Sequence, residues 1–270
     1  SIFKIGQLIA SSGYGGTFVY GIVKRALVPF GLHHVFYTPF YQTAIGGSME
    51  INGVLVHGAQ NIFFAQLADP NLKHFSVEAT KYFSGEFMIM IFGLPGAALA
   101  MYQCAKDESK KVVRSLFLSA ALTSILTGIT EPIEFTFIFV APMLFVVDVF
   151  LAGTAFVLAQ ALRVTIGFTF SCGLIDFLVF GVLQGNSKTH WIFIVIFGLI
   201  YFFLYYFSFR FLIKKFDLKT PGREDDNKLT IFNKKKMDYS FDQSLIDPQV
   251  QMILKAVSYT HLTLPTNSLV

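Results

Sequence analysis

The sequence predicts an all-α integral membrane protein: transmembrane helices with two re-entrant hairpins. Three observations lead there. The 270 residues are 54% hydrophobic and only 14% charged, where a soluble domain carries about 25% charged residues; mean hydropathy is +0.58. The 32 Phe and 11 Tyr are more apolar side chain than a core of this size encloses, so lipid has to cover part of it. Several apolar stretches are also cut by Pro or Gly before they are long enough to span. A large apolar enzyme with buried helices is the competing reading.

Residues 2–28 read as one helix, with Gly6, Gly13, Gly15, Gly16 and Gly21 permitting close packing and Lys24-Arg25 at its end. Residues 32–47 are apolar and aromatic but broken by Pro39 and Gly46-Gly47. They are too short to span, because a spanning helix needs about 20 apolar residues. Residues 48–82 are more polar, with Asn52-Gly53 as a turn signal. Residues 83–105 are apolar but kinked or split at Gly93-Leu94-Pro95-Gly96, since proline removes a backbone donor. Residues 106–114 form a charged connection. Residues 115–129 are short and run into Gly128-Ile129-Thr130-Glu131-Pro132. Residues 133–162 hold more than one element, and 164–185 and 191–213 are two further candidate spans. Paired interrupted segments such as 32–47 and 115–132 are the best sequence pointer to a substrate site in a membrane transporter.

The net charge of +4 is small, and the basic residues sit between apolar segments, so nucleic acid is not a partner. Their expected role is to hold loops on the cytoplasmic side. Cys104 and Cys172 belong to no CxxC or Cys/His cluster, which implies no metal and no redox cofactor. No P-loop, GxSxG or HExxH motif is present.

Ionisable groups at bilayer depth cost about 2.5–3.5 kcal/mol each, so those inside apolar segments need a reason. Glu131-Pro132-Ile133-Glu134 is the sharpest case. Proline favours the first turn of a helix, which puts Glu131 at the break, free to accept ligand hydroxyls. Glu134 is divided between capping the helix start and contacting ligand. His33 and His34 open the first broken segment, followed by Phe36 and Tyr37. An imidazole both donates and accepts, and aromatic faces pack on a sugar ring. His33 is favoured as a ligand group, and His34 more as a satisfied histidine. Arg25 contacts a ligand, pairs with an acid or marks the interface. Asp148, Arg163 and Asp176 are lone charges, and Asp148 and Arg163 are candidates for a structural pair.

Five segments carry a family resemblance: Val28–His34 (VPFGLHH), Phe92–Ala97 (FGLPGA), Gly128–Phe135 (GITEPIEF), Ser171–Phe180 and Leu218–Glu224 (LKTPGRE). In this order they resemble the enzyme IIC permease of the bacterial phosphoenolpyruvate-dependent sugar phosphotransferase system, glucose class. Permeases for maltose, α-glucosides and N-acetylglucosamine share that class. The resemblance covers residues 1–225. It implies the transport half of an elevator-type homodimer in the plasma membrane, with two re-entrant hairpins and a cytoplasmic C-terminal tail. It implies sugar contacts from Arg25, His33 and Glu131; Glu131 is then either a ligand group alone or one that also polarises the sugar 6-hydroxyl. Phosphorylation comes from a phosphocysteine on an enzyme IIB domain, itself charged by a IIA protein.

Residues 1–217 are then the membrane domain, expected to lack its N-terminal half. Residues 218–257 are a linker and the start of enzyme IIB, and 258–270 fit neither and read as a non-native tail. No phosphocysteine motif is present, so this stretch alone is not expected to phosphorylate sugar. Two rival classes are a proton-coupled sugar transporter, with Glu131 and Asp148 as relay groups, and a membrane sugar sensor.

Overall fold

The computed structural model describes residues 2–223, with side chains from Gly6 onward. The chain divides into two units, Ser1–Arg223 and Glu224–Val270, and the described elements all belong to the first. The expected enzyme IIB start and the tail at 258–270 lie outside the described residues.

The first expected helix is two helices, α1 (Ile2–Ser11) and α2 (Gly13–Ala26). Gly13 has φ +55°, a left-handed conformation that interrupts the helix and that glycine adopts without penalty. α2 buries Tyr20 completely. Its ring lies 4.9–5.6 Å from those of Phe36, Phe40, Tyr82 and Phe156. A short 3₁₀ turn leads into α3 (His33–Gln42). At ten residues α3 is about 15 Å long, too short to cross a bilayer. Next come the antiparallel strands β1 (Ser48–Ile51) and β2 (Val54–His57). Asn52 and Gly53 both have positive φ, as a two-residue hairpin turn requires. Helices α4 (Ala59–Leu67) and α5 (Val77–Thr80) complete this polar region.

The apolar run from 83 continues through a π-helical segment, Met88–Gly93, into α6 (Leu94–Cys104), whose first turn holds Pro95. A wide π turn takes up the break that the sequence predicts there. α7 (Lys110–Thr127) begins inside the charged connection rather than after it. Gly128, at φ +78°, ends it, and the four-residue α8 (Glu131–Glu134) follows. The rest of the chain holds α9 (Pro142–Ala161), α10 (Leu174–Phe177) with a π turn after it, α11 (Asn186–Thr189) and α12 (Trp191–Lys215).

Among the described residues, α9 and α12 are long and apolar enough to cross a membrane, with mean hydropathies of 2.1 and 2.3. At about 1.5 Å per residue they measure about 30 and 37 Å, enough for a hydrocarbon core of about 30 Å. They run antiparallel. Four residues past the end of α9, Thr165 N–H donates to the C=O of Thr189, two residues before α12 (3.0 Å), and Tyr205 further along α12 reaches Asp148 further back in α9. α12 leaves Ile196, Leu199, Ile200, Phe203, Phe207 and Phe211 exposed by 47–61%. Such a stripe suits lipid rather than water. α2 lies against α9 with glycines facing: a Cβ on Gly21 would come within 3.0 Å of the Gly153 Cα.

The expected span at 164–185 is not one. Residues 164–173 form neither helix nor strand. The Asp176 carboxylate accepts from Phe170 N–H (3.3 Å), Ser171 N–H (3.2 Å) and Thr169 Oγ1 (2.8 Å). Ser84 Oγ donates to Ile166 C=O (3.1 Å). These bonds satisfy the backbone outside a helix, and they account for Asp176. Beyond α12, hydrogen bonds from Lys219 and Arg223 hold the Asp217 carboxyl below the usual carboxylate range.

Candidate functional site

The irregular 168–171 segment, α2, α3 and the α7–α8 turn surround a cavity of about 540 Å³, within the range of small-ligand sites. On α3 the residues at i, i+4 and i+8, namely His33, Tyr37 and Tyr41, line it. That spacing is one helix face. Phe36 and Phe40 occupy the next face and turn to Tyr20 instead. Phe36 is therefore absent from the cavity lining, against the sequence expectation, and Tyr41, Phe156, Phe168 and Phe170 supply aromatic wall beside Tyr37.

Glu131 enters from the α7–α8 turn. Its Oε2 accepts from the Thr130 backbone N–H (3.1 Å), and its Oε1 stands 3.8 Å from His33 Nε2. That gap is too long for a hydrogen bond and short enough for one ligand hydroxyl to touch both groups. The Glu131 side chain remains 35% exposed. His34 lies at the mouth, its Nδ1 hydrogen-bonded with Tyr37 Oη (2.6 Å). His33, His34 and Glu131 each place a possible ligand atom within 4.8 Å of the others, so this group has the donors to hold a metal ion.

Two sequence expectations change. Glu134 does not cap α8, and no atom of it lines the cavity. The helix start is served instead by Glu131. Glu134 is fully buried and pairs with Arg25 Nη2 at 2.7 Å. Arg25 Nε donates to Asp148 Oδ2 (3.0 Å), and Nη1 faces Thr130 Oγ1 (3.5 Å). Arg25 lines the cavity, yet its guanidinium is committed to two buried protein acids. Asp148, a candidate partner for Arg163, pairs instead with Arg25 and also accepts from Tyr205 Oη (2.8 Å).

Sequence reading missed Lys24 and Glu86, which form a buried ion pair on the cavity wall. Lys24 Nζ also donates to Tyr41 Oη (2.7 Å) and lies 4.5 Å from the Tyr37 ring centre. The available signal was Glu86 itself, an acid inside the apolar run 83–105. An acid in an apolar run calls for an explanation whether it lies at Glu86 or at Glu131.

The two walls of the site meet at Gly173 and Gly128. Ser171 Oγ donates to Gly128 C=O (2.9 Å). A Cβ on Gly173 would stand 2.5 Å from Gly128 N and 2.6 Å from Leu126 O. Backbone cannot yield as a side chain can, so Gly173→Ala is expected to lower stability by about 1–3 kcal/mol. A lower thermal unfolding midpoint in detergent is the readout. An unchanged midpoint would mean the two walls do not need this contact.

The fold and site together define a mostly helical protein with, among the described residues, two apolar helices of membrane-spanning length and an internal cavity of small-ligand size. Residues 1–153 match the family model "Phosphotransferase system, EIIC". The chain belongs to this family. It is also 49% identical over 223 residues to the "PTS system glucose-specific EIICBA component" of Staphylococcus carnosus (strain TM300). The protein with the same printed name from Staphylococcus saprophyticus subsp. saprophyticus is likewise 49% identical over 223 residues. Each match takes in 83% of this chain and 32% of the relative, so the chain spans about a third of the length of these relatives.

Proposed function

We propose that the chain is the sugar-translocating part of a glucose permease of the phosphotransferase system. One observation carries the reading. In a chain of this family, His33 and Glu131 face each other at 3.8 Å across a cavity walled by tyrosine and phenylalanine. Hydroxyls bridge the polar pair, and the apolar face of the pyranose lies on the rings. Tyr37 and His34 stand at the same wall and complete the contacts. Arg25 and Glu134 serve the site as positioning residues by fixing the α7–α8 turn. Glu131, oriented by the Thr130 N–H, is the group suited to polarise the 6-hydroxyl.

The assembly around this site follows from the same reading. α3 and the α7–α8 turn are the tips of two re-entrant hairpins that move with the bound sugar as one body, in a homodimer. The phosphoryl donor is a phosphocysteine of an enzyme IIB domain, charged in turn by a IIA domain, and the relatives named EIICBA support that partnership. Residues 1–217 form the membrane domain. Residues 218–257 carry the chain toward enzyme IIB on the cytoplasmic side, and 258–270 are foreign to it.

The test is uptake of labelled glucose into vesicles by the chain restored to its relatives' length. Uptake is expected to require phosphoenolpyruvate and to survive a protonophore, with maltose and N-acetylglucosamine as weak competitors. Uptake that stops with the protonophore and ignores phosphoenolpyruvate would establish proton coupling instead.

A further inference from the structure

A second concave site lies where α9 ends and α12 begins. It measures about 150 Å³ and shares no lining residue with the first cavity. Arg163, Lys188, His74 and His190 line it, and no acid does. Neither Arg163 nor Lys188 has an ion-pair partner among the described residues. Glu78, adjacent in sequence to the lining residue Val77, is committed to Lys81 at 2.5 Å. The site is built rather than incidental. His190 Nδ1 bonds with the Arg163 carbonyl (3.0 Å), and Thr165 Oγ1 donates to the Lys188 carbonyl (2.7 Å). Arg163 and His190 hold φ values of +54° and +53°, a region uncommon for bulky residues.

The position points to the ligand. This is the shared end of two membrane-length helices, so it lies at headgroup depth. Trp191, the chain's one tryptophan, starts α12 here, and tryptophan concentrates at membrane–water interfaces. Just along α12, Ile192 and Ile196 are exposed by 41% and 48%, a lane for acyl chains. Unpaired cations in a pocket formed by the connecting segments at the ends of two membrane-length helices suit a phosphate headgroup, with Arg163 able to fork two phosphate oxygens and Lys188 adding a point charge.

We propose that this pocket binds the phosphate group of an anionic phospholipid. The test measures binding of phosphatidylglycerol, phosphatidylcholine and glycerol phosphate to the purified chain in detergent, by native mass spectrometry and by thermal unfolding. The variants are Arg163→Asn, Lys188→Gln and their combination. Asparagine is chosen because it tolerates the left-handed backbone at 163.

Phosphatidylglycerol is expected to raise the unfolding midpoint and to bind at least about tenfold more tightly than phosphatidylcholine, the size of one charge-assisted hydrogen bond. Each single variant weakens it, the combination abolishes it, and high salt weakens it in the unsubstituted chain. Equal binding of glycerol phosphate would keep the phosphate site and assign it a soluble anion. Phosphatidylglycerol binding no tighter than phosphatidylcholine, or insensitive to both salt and the single variants, overturns the proposal. The salt arm stands even if the combined variant does not fold.

Discussion

Arg25→Gln is expected to prevent the chain from reaching a stable fold. Arg25 is the only cation in direct contact, among the described residues, with Glu134 and Asp148, and both acids are fully buried. Glu134 depends on it most. Its two carboxylate oxygens are buried without a well-aligned hydrogen bond, so the 2.7 Å ionic contact is what compensates them. Removing one partner of a buried pair costs about 3–5 kcal/mol, a large share of the roughly 5–15 kcal/mol that holds a typical protein together. Here one deletion strands two carboxylates. Glu134→Gln should be far milder, because Arg25 keeps Asp148 and one buried charge disappears. The measurement is the recovery of monodisperse protein and its unfolding midpoint in detergent. An Arg25→Gln variant as stable as the unsubstituted chain would mean that the two acids are not held by this guanidinium.

Glu131→Gln is expected to lose glucose binding by roughly 10- to 150-fold, the equivalent of one hydrogen bond to a charged group worth about 1.5–3 kcal/mol. Stability should change little. The side chain is 35% exposed, and its one protein hydrogen bond, from Thr130 N–H, can be remade by the amide oxygen. The split between binding and stability is what separates Glu131 from Arg25, although both line the same cavity. A binding curve that overlays the unsubstituted protein's would make Glu131 a turn residue.

How far the sequence could be read depended on how local each cause is. α12 was legible because its length and hydropathy are properties of one segment, and 191–213 became Trp191–Lys215. The Asn52-Gly53 turn was legible for the same reason. Residues 164–185 have a similar apolar character, but the Asp176 carboxylate takes up the 170 and 171 amides in a non-helical segment, and hydropathy does not register that competition. Glu131 stood out through the Glu-Pro pair. The alternatives left open for Arg25 and Glu134, and the partner of Asp148, needed the structure because the partners of Arg25 lie more than a hundred residues away, so whether a buried acid meets ligand or arginine is a tertiary fact. Phe36 is different. Read as an irregular segment, 32–47 gives no reason to prefer Tyr37 and Tyr41. Read as a helix, the i, i+4, i+8 series from His33 selects them.

Whether a sugar sits between α3 and the α7–α8 turn is decided by a structure of the protein determined with glucose bound. The prediction is a sugar in the 540 Å³ cavity, with at least one hydroxyl in hydrogen-bond contact with both His33 Nε2 and a Glu131 oxygen, and its ring against Tyr37, Tyr41 or Phe168. Glucose bound elsewhere, or in the cavity without contact to Glu131, would contradict it.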